Sequence, residues 1–133
     1  MGNSLNIQSF EDLDIFQQAR QLCKEVYEVT KADPWKWDSR FVQQIHAAAG
    51  SVMDNIAEGY ERGGNKEFIN FLFIAKGSCG EVLSQIIRAV DVEYLPKDKG
   101  TELYNTCKKL SASIMNFIKR LQASDFKGSK YNL

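Results

Sequence analysis

Between residues 103 and 121 an apolar line runs through Leu103, Cys107, Leu110, Ile114, Phe117 and Leu121, in unbroken steps of four and three. Such steps place every one of these residues on a single face of an α-helix, and a helix apolar along one face must bury it against another element. Upstream, Leu13, Phe16, Ala19, Leu22, Cys23 and Val26 follow "SFED", which reads as a capping box with Asp12 in place of the usual glutamate. A second line, Phe41, Val42, Ile45, Ala48, Ala49, Val52 and Ile56, follows Asp38 and Ser39, either of which can cap a helix. A third runs through Phe68, Leu72, Ala75, Val82 and Ile86. Pro34 stops the first helix, and the tryptophans of "DPWKWD" are expected to fold over one end of the core. No segment alternates like a strand. The spacing predicts helices over about 10–31, 39–62, 66–91 and 100–123 with flexible ends. Four helices of this length with short connections make an all-α, antiparallel up-down-up-down four-helix bundle, one domain over residues 1–133.

The stretch "NIAEGYERGGNKEFIN" at 55–70 concentrates carboxylates, an arginine and adjacent glycines, which raises a loop that binds phosphate or performs catalysis. It lacks the Lys-Ser/Thr ending and preceding strand of a phosphate-binding loop. Its residues suit a helix corner better. Gly63 or Gly64 can take the left-handed conformation that closes a helix, Asn65 can accept from the free amides of the next turn, and Glu67 sits near that positive end. Asn55, Glu58 and Arg62, beside Gly59, are expected to tie the corner together by hydrogen bonds. If the chain reverses at Gly63 and Gly64, facing residues of the second and third helices have numbers summing to about 127. Gly50 then faces Gly77, where small side chains would let two backbones approach, and His46 faces Glu81, a pair expected to share a structural hydrogen bond.

Length and composition exclude several classes. A chain of 133 residues with 44% apolar and 26% charged residues is that of a globular domain with a real core. No apolar run approaches the roughly 20 residues of a membrane span, and "MGNSLNIQSFEDLD" resembles no signal peptide, so a cytoplasmic protein without a membrane partner is expected. Cys23, Cys79 and Cys107 lie far apart on apolar faces and read as buried thiols. Glu58 and Glu81 raise a di-iron site, but such sites take a Glu-x-x-His pair from each of two helices, whereas His46 is the only histidine and has Gln43 three residues before it. No metal, no cofactor and no catalytic residue is expected, since nothing pairs a nucleophile with a base.

Two surfaces remain to be explained. The third helix has a second apolar line, Ile69, Phe73, Leu83 and Ile87, offset from the first, and a bundle helix needs one broad stripe. A homo-oligomer interface is the expected use. The net charge of zero hides an asymmetry: residues 96–133 hold eight basic and three acidic residues, the rest nine and 14. Lys97, Lys108 and Lys119, eleven apart, share a helix angle, Lys109 with Arg120 forms a parallel line, and Lys127 and Lys130 extend the resulting basic stripe into the tail. This stripe is either a solvated face or a contact for RNA or DNA phosphates.

The motifs "FEDLDIFQQA", Asn55-Ile56-Ala57-Glu58-Gly59 with Arg62, and "EFINFLFIAKGSCGEV" carry a resemblance over nearly the whole chain. In the last of these Glu67, Phe68, Phe71, Leu72, Ala75, Gly77, Ser78 and Glu81 stand where such proteins carry them, and Tyr94 and Leu95 follow in the same manner. On these residues the chain resembles the 23S rRNA-intervening sequence protein family of bacterial four-helix bundles, related to accessory proteins of diversity-generating retroelements. The resemblance implies a bundle that assembles into cyclic homo-oligomers, notably pentamers, with no established activity for most members. His46, Ala47 and Gly50 depart from it, since relatives often carry two arginines and a β-branched residue there. Two function classes follow: a non-enzymatic oligomeric scaffold for a protein or nucleic-acid partner, and a nucleic-acid-binding accessory factor that uses the fourth helix.

Overall fold

A computed structural model describes residues 7–126. The expected flexible ends, residues 1–6 and 127–133, lie outside the described residues. A short 3-10 turn, Phe10–Asp12, precedes α1 (Asp14–Val29), and a second, Trp35–Trp37, precedes α2 (Ser39–Glu61); α3 (Asn65–Asp91) and α4 (Lys97–Phe126) complete the chain. There is no strand among the described residues.

Two boundaries differ from expectation for physical reasons. Asp12 does close back on the chain, its Oδ2 accepting from Ser9 N at 3.2 Å and from Gln8 N at 2.8 Å. It closes only the 3-10 turn, because Leu13 then turns extended (ψ 131°) and enters the core, so α1 begins at Asp14 rather than near residue 10. At the other end of the chain α4 begins at Lys97, a turn early. The ring of Pro96 restricts its φ to values that suit entry into a helix, and Gly100 N already donates to its carbonyl at 2.8 Å. Gly100 is buried, and a Cβ there would lie 2.5 Å from Val90 Cγ2, so α3 and α4 approach closely where they are joined.

Each helix continues its four-three line into one shared core. Leu22, Ile45, Ile56, Leu72, Ile86, Leu110, Ile114, Ile118 and Leu121 are among the fully buried side chains, each worth roughly 1.5–3 kcal/mol of transfer free energy. The contacts α1 to α2, α2 to α3, α3 to α4 and α1 to α4 join the four helices around that core. Rising numbers on one helix meet falling numbers on the next. Cys23 and Thr30 meet Ala49 and His46; Ser51 and Gly59 meet Ser78 and Phe68; Phe68 and Cys79 meet Phe117 and Cys107.

The connection between α1 and α2 splits the expectation for the tryptophans. Trp35 is fully buried against Phe41 and Tyr94, whereas Trp37 is 75% exposed with Lys36 Nζ 4.9 Å from its ring centre. Asp38 is the cap of α2: its Oδ1 accepts from Phe41 N at 3.2 Å, and its Oδ2 accepts from the Tyr94 hydroxyl at 2.9 Å. One carboxylate therefore ties two connections together.

Candidate interaction surfaces

The stretch 55–70 is a corner. Gly63 takes φ 86°, where a side chain would be strained, and its N–H donates to Tyr60 O at 3.3 Å. Arg62 Nη2 meets Glu58 Oε2 at 2.8 Å, both half exposed, so this expected pair is present and contributes little. Two details differ. Gly64, not Asn65, is the extended residue before α3, and Asn65 turns inward to donate from Nδ2 to Leu121 O at 3.3 Å, which anchors the corner to α4. Asn55 serves the seam above the corner instead, donating to Ser51 O at 2.8 Å and Ser51 Oγ at 3.0 Å. Ser51 Oγ lies 2.8 Å from Ser78 Oγ, so a polar chain crosses from α2 to the buried Ser78 of α3.

The expected register holds to within a few residues, since Ser51 meets Ser78 and Gly59 meets Phe68, but the expected facing pair of glycines does not meet. A Cβ built at Gly50 or Gly77 meets nothing within 4 Å, and Gly77 is exposed. Close approach occurs at Gly59, where a Cβ would lie 2.7 Å from Phe71 Cβ and 2.9 Å from Phe68 Cδ1. The signal was available: Ile45, Ala49, Val52, Ile56 and Gly59 continue one four-three line, which Gly50 does not join.

His46 is also placed differently. Its Nε2 lies 2.9 Å from Thr30 Oγ1, and its ring stacks on Tyr27 at 3.8 Å. The Thr30 hydroxyl also lies 3.1 Å from the Val26 and Tyr27 carbonyls, so it joins the end of α1 to the imidazole. Burial holds the imidazole below its ordinary pKa, which keeps it neutral near pH 7. Glu81 is exposed on α3 and does not pair with it. The two seams lie five residues apart on α2, at His46 and Ser51, a rotation of about 140° at 3.6 residues per turn.

The outer face of α3 is apolar and open. Phe73 is 46%, Ile74 51% and Ile87 52% exposed; Ile69 and Leu83, expected beside them, are half-buried and pack on the core. The exposed line is therefore Phe73, Gly77, Gly80, Ser84 and Ile87, again in steps of four and three. Its large residues stand at both ends of a floor that is glycine and serine, and Gly80, like Gly77, has nothing near a built Cβ.

Lys97, Lys108, Lys109, Lys119 and Arg120 are all exposed on α4, over a span of about 35 Å at 1.5 Å per residue. Among the described residues the ion pairs are Lys31–Glu28, Lys36–Asp33 and Arg62–Glu58, none of which uses these cations. Arg120 lies 5.5 Å from the Phe117 ring centre. Lys127 and Lys130 lie outside the described residues. No group of three or more His, Cys, Asp or Glu among the described residues could hold a metal ion, and no described helix is long and apolar enough to cross a membrane.

The family description "23S rRNA-intervening sequence protein" matches residues 11–116. The chain belongs to that family. The match runs from the first 3-10 turn through most of α4, and so includes the corner, the Ser51–Ser78 seam and the outer line of α3, while Lys119 and Arg120 lie past its end. Among solved structures, this intervening-sequence protein is similar to a Bacteroides thetaiotaomicron protein with unknown function from the S23 ribosomal protein family. The two share 18% identity over 79% of this chain and 95% of that one, with a TM-score of 0.72, a likeness of fold. No curated protein matches.

Proposed function

We propose that this intervening-sequence protein is non-enzymatic and assembles with copies of itself through the outer face of α3, forming a cytoplasmic scaffold for a protein or nucleic-acid partner. The line Phe73, Gly77, Gly80, Ser84 and Ile87 carries the reading. Glycine inside a helix costs about 1 kcal/mol relative to alanine, and at Gly77 and Gly80 no packing among the described residues offsets it. A second helix seated on that floor, held between Phe73 and Ile87, would offset it through close backbone approach and would cover the exposed rings and branched chains. Closed rings, pentamers in particular, are the form of assembly favoured by the family resemblance. The three free thiols support a reducing compartment.

Sedimentation velocity and light scattering across micromolar concentrations test this. The wild-type chain is expected as an oligomer and the doubly substituted Phe73→Glu, Ile87→Glu chain as a folded monomer. A wild-type monomer throughout that range overturns the proposal.

A second reading rests on Lys97, Lys108, Lys109, Lys119 and Arg120 of α4, exposed cations that form no ion pair among the described residues and fit a phosphate backbone. Binding of single-stranded RNA should weaken with salt at a log–log slope of about −3 if four phosphates are contacted. Charge reversal at Lys108, Lys109, Lys119 and Arg120 should abolish it, and binding that survives the reversal removes this reading.

A further inference from the structure

We propose that Cys79 and Cys107 are an oxidisable pair, converted by a peroxide into a disulfide that ties α3 to α4 inside the core. Both belong to the four-three lines of their helices, and both are fully buried. Their levels are matched by the contacts on either side, Phe68 with Phe117 and Asn65 with Leu121 toward the corner and Val90 with Gly100 toward the other end. Cys107 Sγ reaches across the seam to within 3.5 Å of the Cys79 carbonyl oxygen. Cys23 stands apart on α1, its thiol 3.3 Å from Ala49 O and pushed up to about 11 by burial and by Asp54, so it is protonated near neutral pH.

The pair is chemically asymmetric. The neighbouring Cys107 thiol holds Cys79 below the ordinary thiol value, with Lys76 adding to the effect, while Cys79 and burial raise Cys107. Cys79 is thus the sulfur that ionises first and attacks. Its thiolate displaces one oxygen of hydrogen peroxide, forming an S–O bond as the O–O bond breaks; the departing hydroxide takes a proton to become water, and Cys79 becomes a sulfenic acid. The Cys107 sulfur then attacks Cys79, the S–S bond forms, and the sulfenic oxygen leaves as a second water with the Cys107 proton. Two thiols lose two electrons and the peroxide gains them. Burial makes the first step slow, since peroxide reaches Cys79 only when α3 and α4 part locally.

The test treats the native full-length chain with hydrogen peroxide, removes the excess, unfolds and alkylates it, and digests with trypsin. The expected product has lost two hydrogens and contains the peptide 77–88 joined to the peptide 100–108, with the Cys23 peptide alkylated. Its Tm rises by up to about 10 °C, and dithiothreitol reverses the rise. In Cys107→Ser the sulfenic acid at Cys79 persists and is captured by dimedone. Full alkylation of Cys79 and Cys107 after treatment, overoxidation of Cys79 without a link, or a link made only through Cys23 each overturns the proposal.

Discussion

Alanine at position 59 offers a severe test of the α2–α3 seam, because helix propensity and packing there have opposite signs. In an exposed helix the change from glycine to alanine stabilises by about 1 kcal/mol. At Gly59 the added carbon would lie 2.7 Å from Phe71 Cβ and 2.9 Å from the ring of the buried Phe68. Phe71 Cβ is fixed to the α3 backbone and cannot rotate away, so α2 and α3 must separate by the better part of an ångström. Overpacking of this kind costs about 3 kcal/mol at the upper end of its usual range, which leaves a net loss of about 2 kcal/mol after the propensity gain. For a chain of this length that is a fall in Tm of about 7 °C. Alanine at Gly50, on the same helix but with nothing within 4 Å, should gain about 1 kcal/mol and a few degrees. Urea denaturation with unchanged m-values, on samples held at one concentration, measures both. Equal or like-signed effects at the two positions would refute the close approach at Gly59.

Asp38→Ala removes the cap on Phe41 N and the acceptor of the Tyr94 hydroxyl together, and should cost about 2 kcal/mol in the same urea titration; Asp38→Asn should recover part of it. Gln85 is buried in α3 with an unpartnered Oε1, so Gln85→Leu should be neutral or stabilising by about 1 kcal/mol, with a loss beyond that pointing to a hidden donor. Burial lowers the His46 pKa in the folded state below 6.5, so the unfolded chain binds more protons in the window between the two values. Stability from this group is present above the unfolded value and is lost as pH falls through the folded one. Replacing His46 with Gln should flatten that part of the pH–stability profile, and an unchanged slope would assign it to other groups.

The helices and the chain reversal at Gly63 were legible because they depend on neighbours in sequence: apolar steps of four and three, Asp38 ahead of α2, and a glycine where φ must be positive. The outer face of α3 was legible in part. Phe73 and Ile87 are exposed as expected, but Ile69 and Leu83 pack inward and the line between the exposed pair is glycine, a residue that hydrophobicity cannot flag. A sum centred on the turn gave the level at which α2 and α3 meet, Ser51 with Ser78 and Gly59 with Phe68, but not which side chains face, since such a rule ignores rotation about the helix axis. Each residue advances the helix face by about 100°, so Ala49, Gly50 and Ser51 look toward the core, the solvent and the α3 seam.

By itself the sequence determined that this protein is built of four helices, where three of the four begin or end to within a few residues, and which face of each turns inward, because backbone period and capping act over a few residues. Only the tertiary structure decided that Gly59 rather than Gly50 touches α3, that His46 answers to Thr30, and that Asn65 reaches Leu121. Those outcomes depend on how far each helix rotates about its axis when the core closes, and that rotation is set by the packing of all four at once.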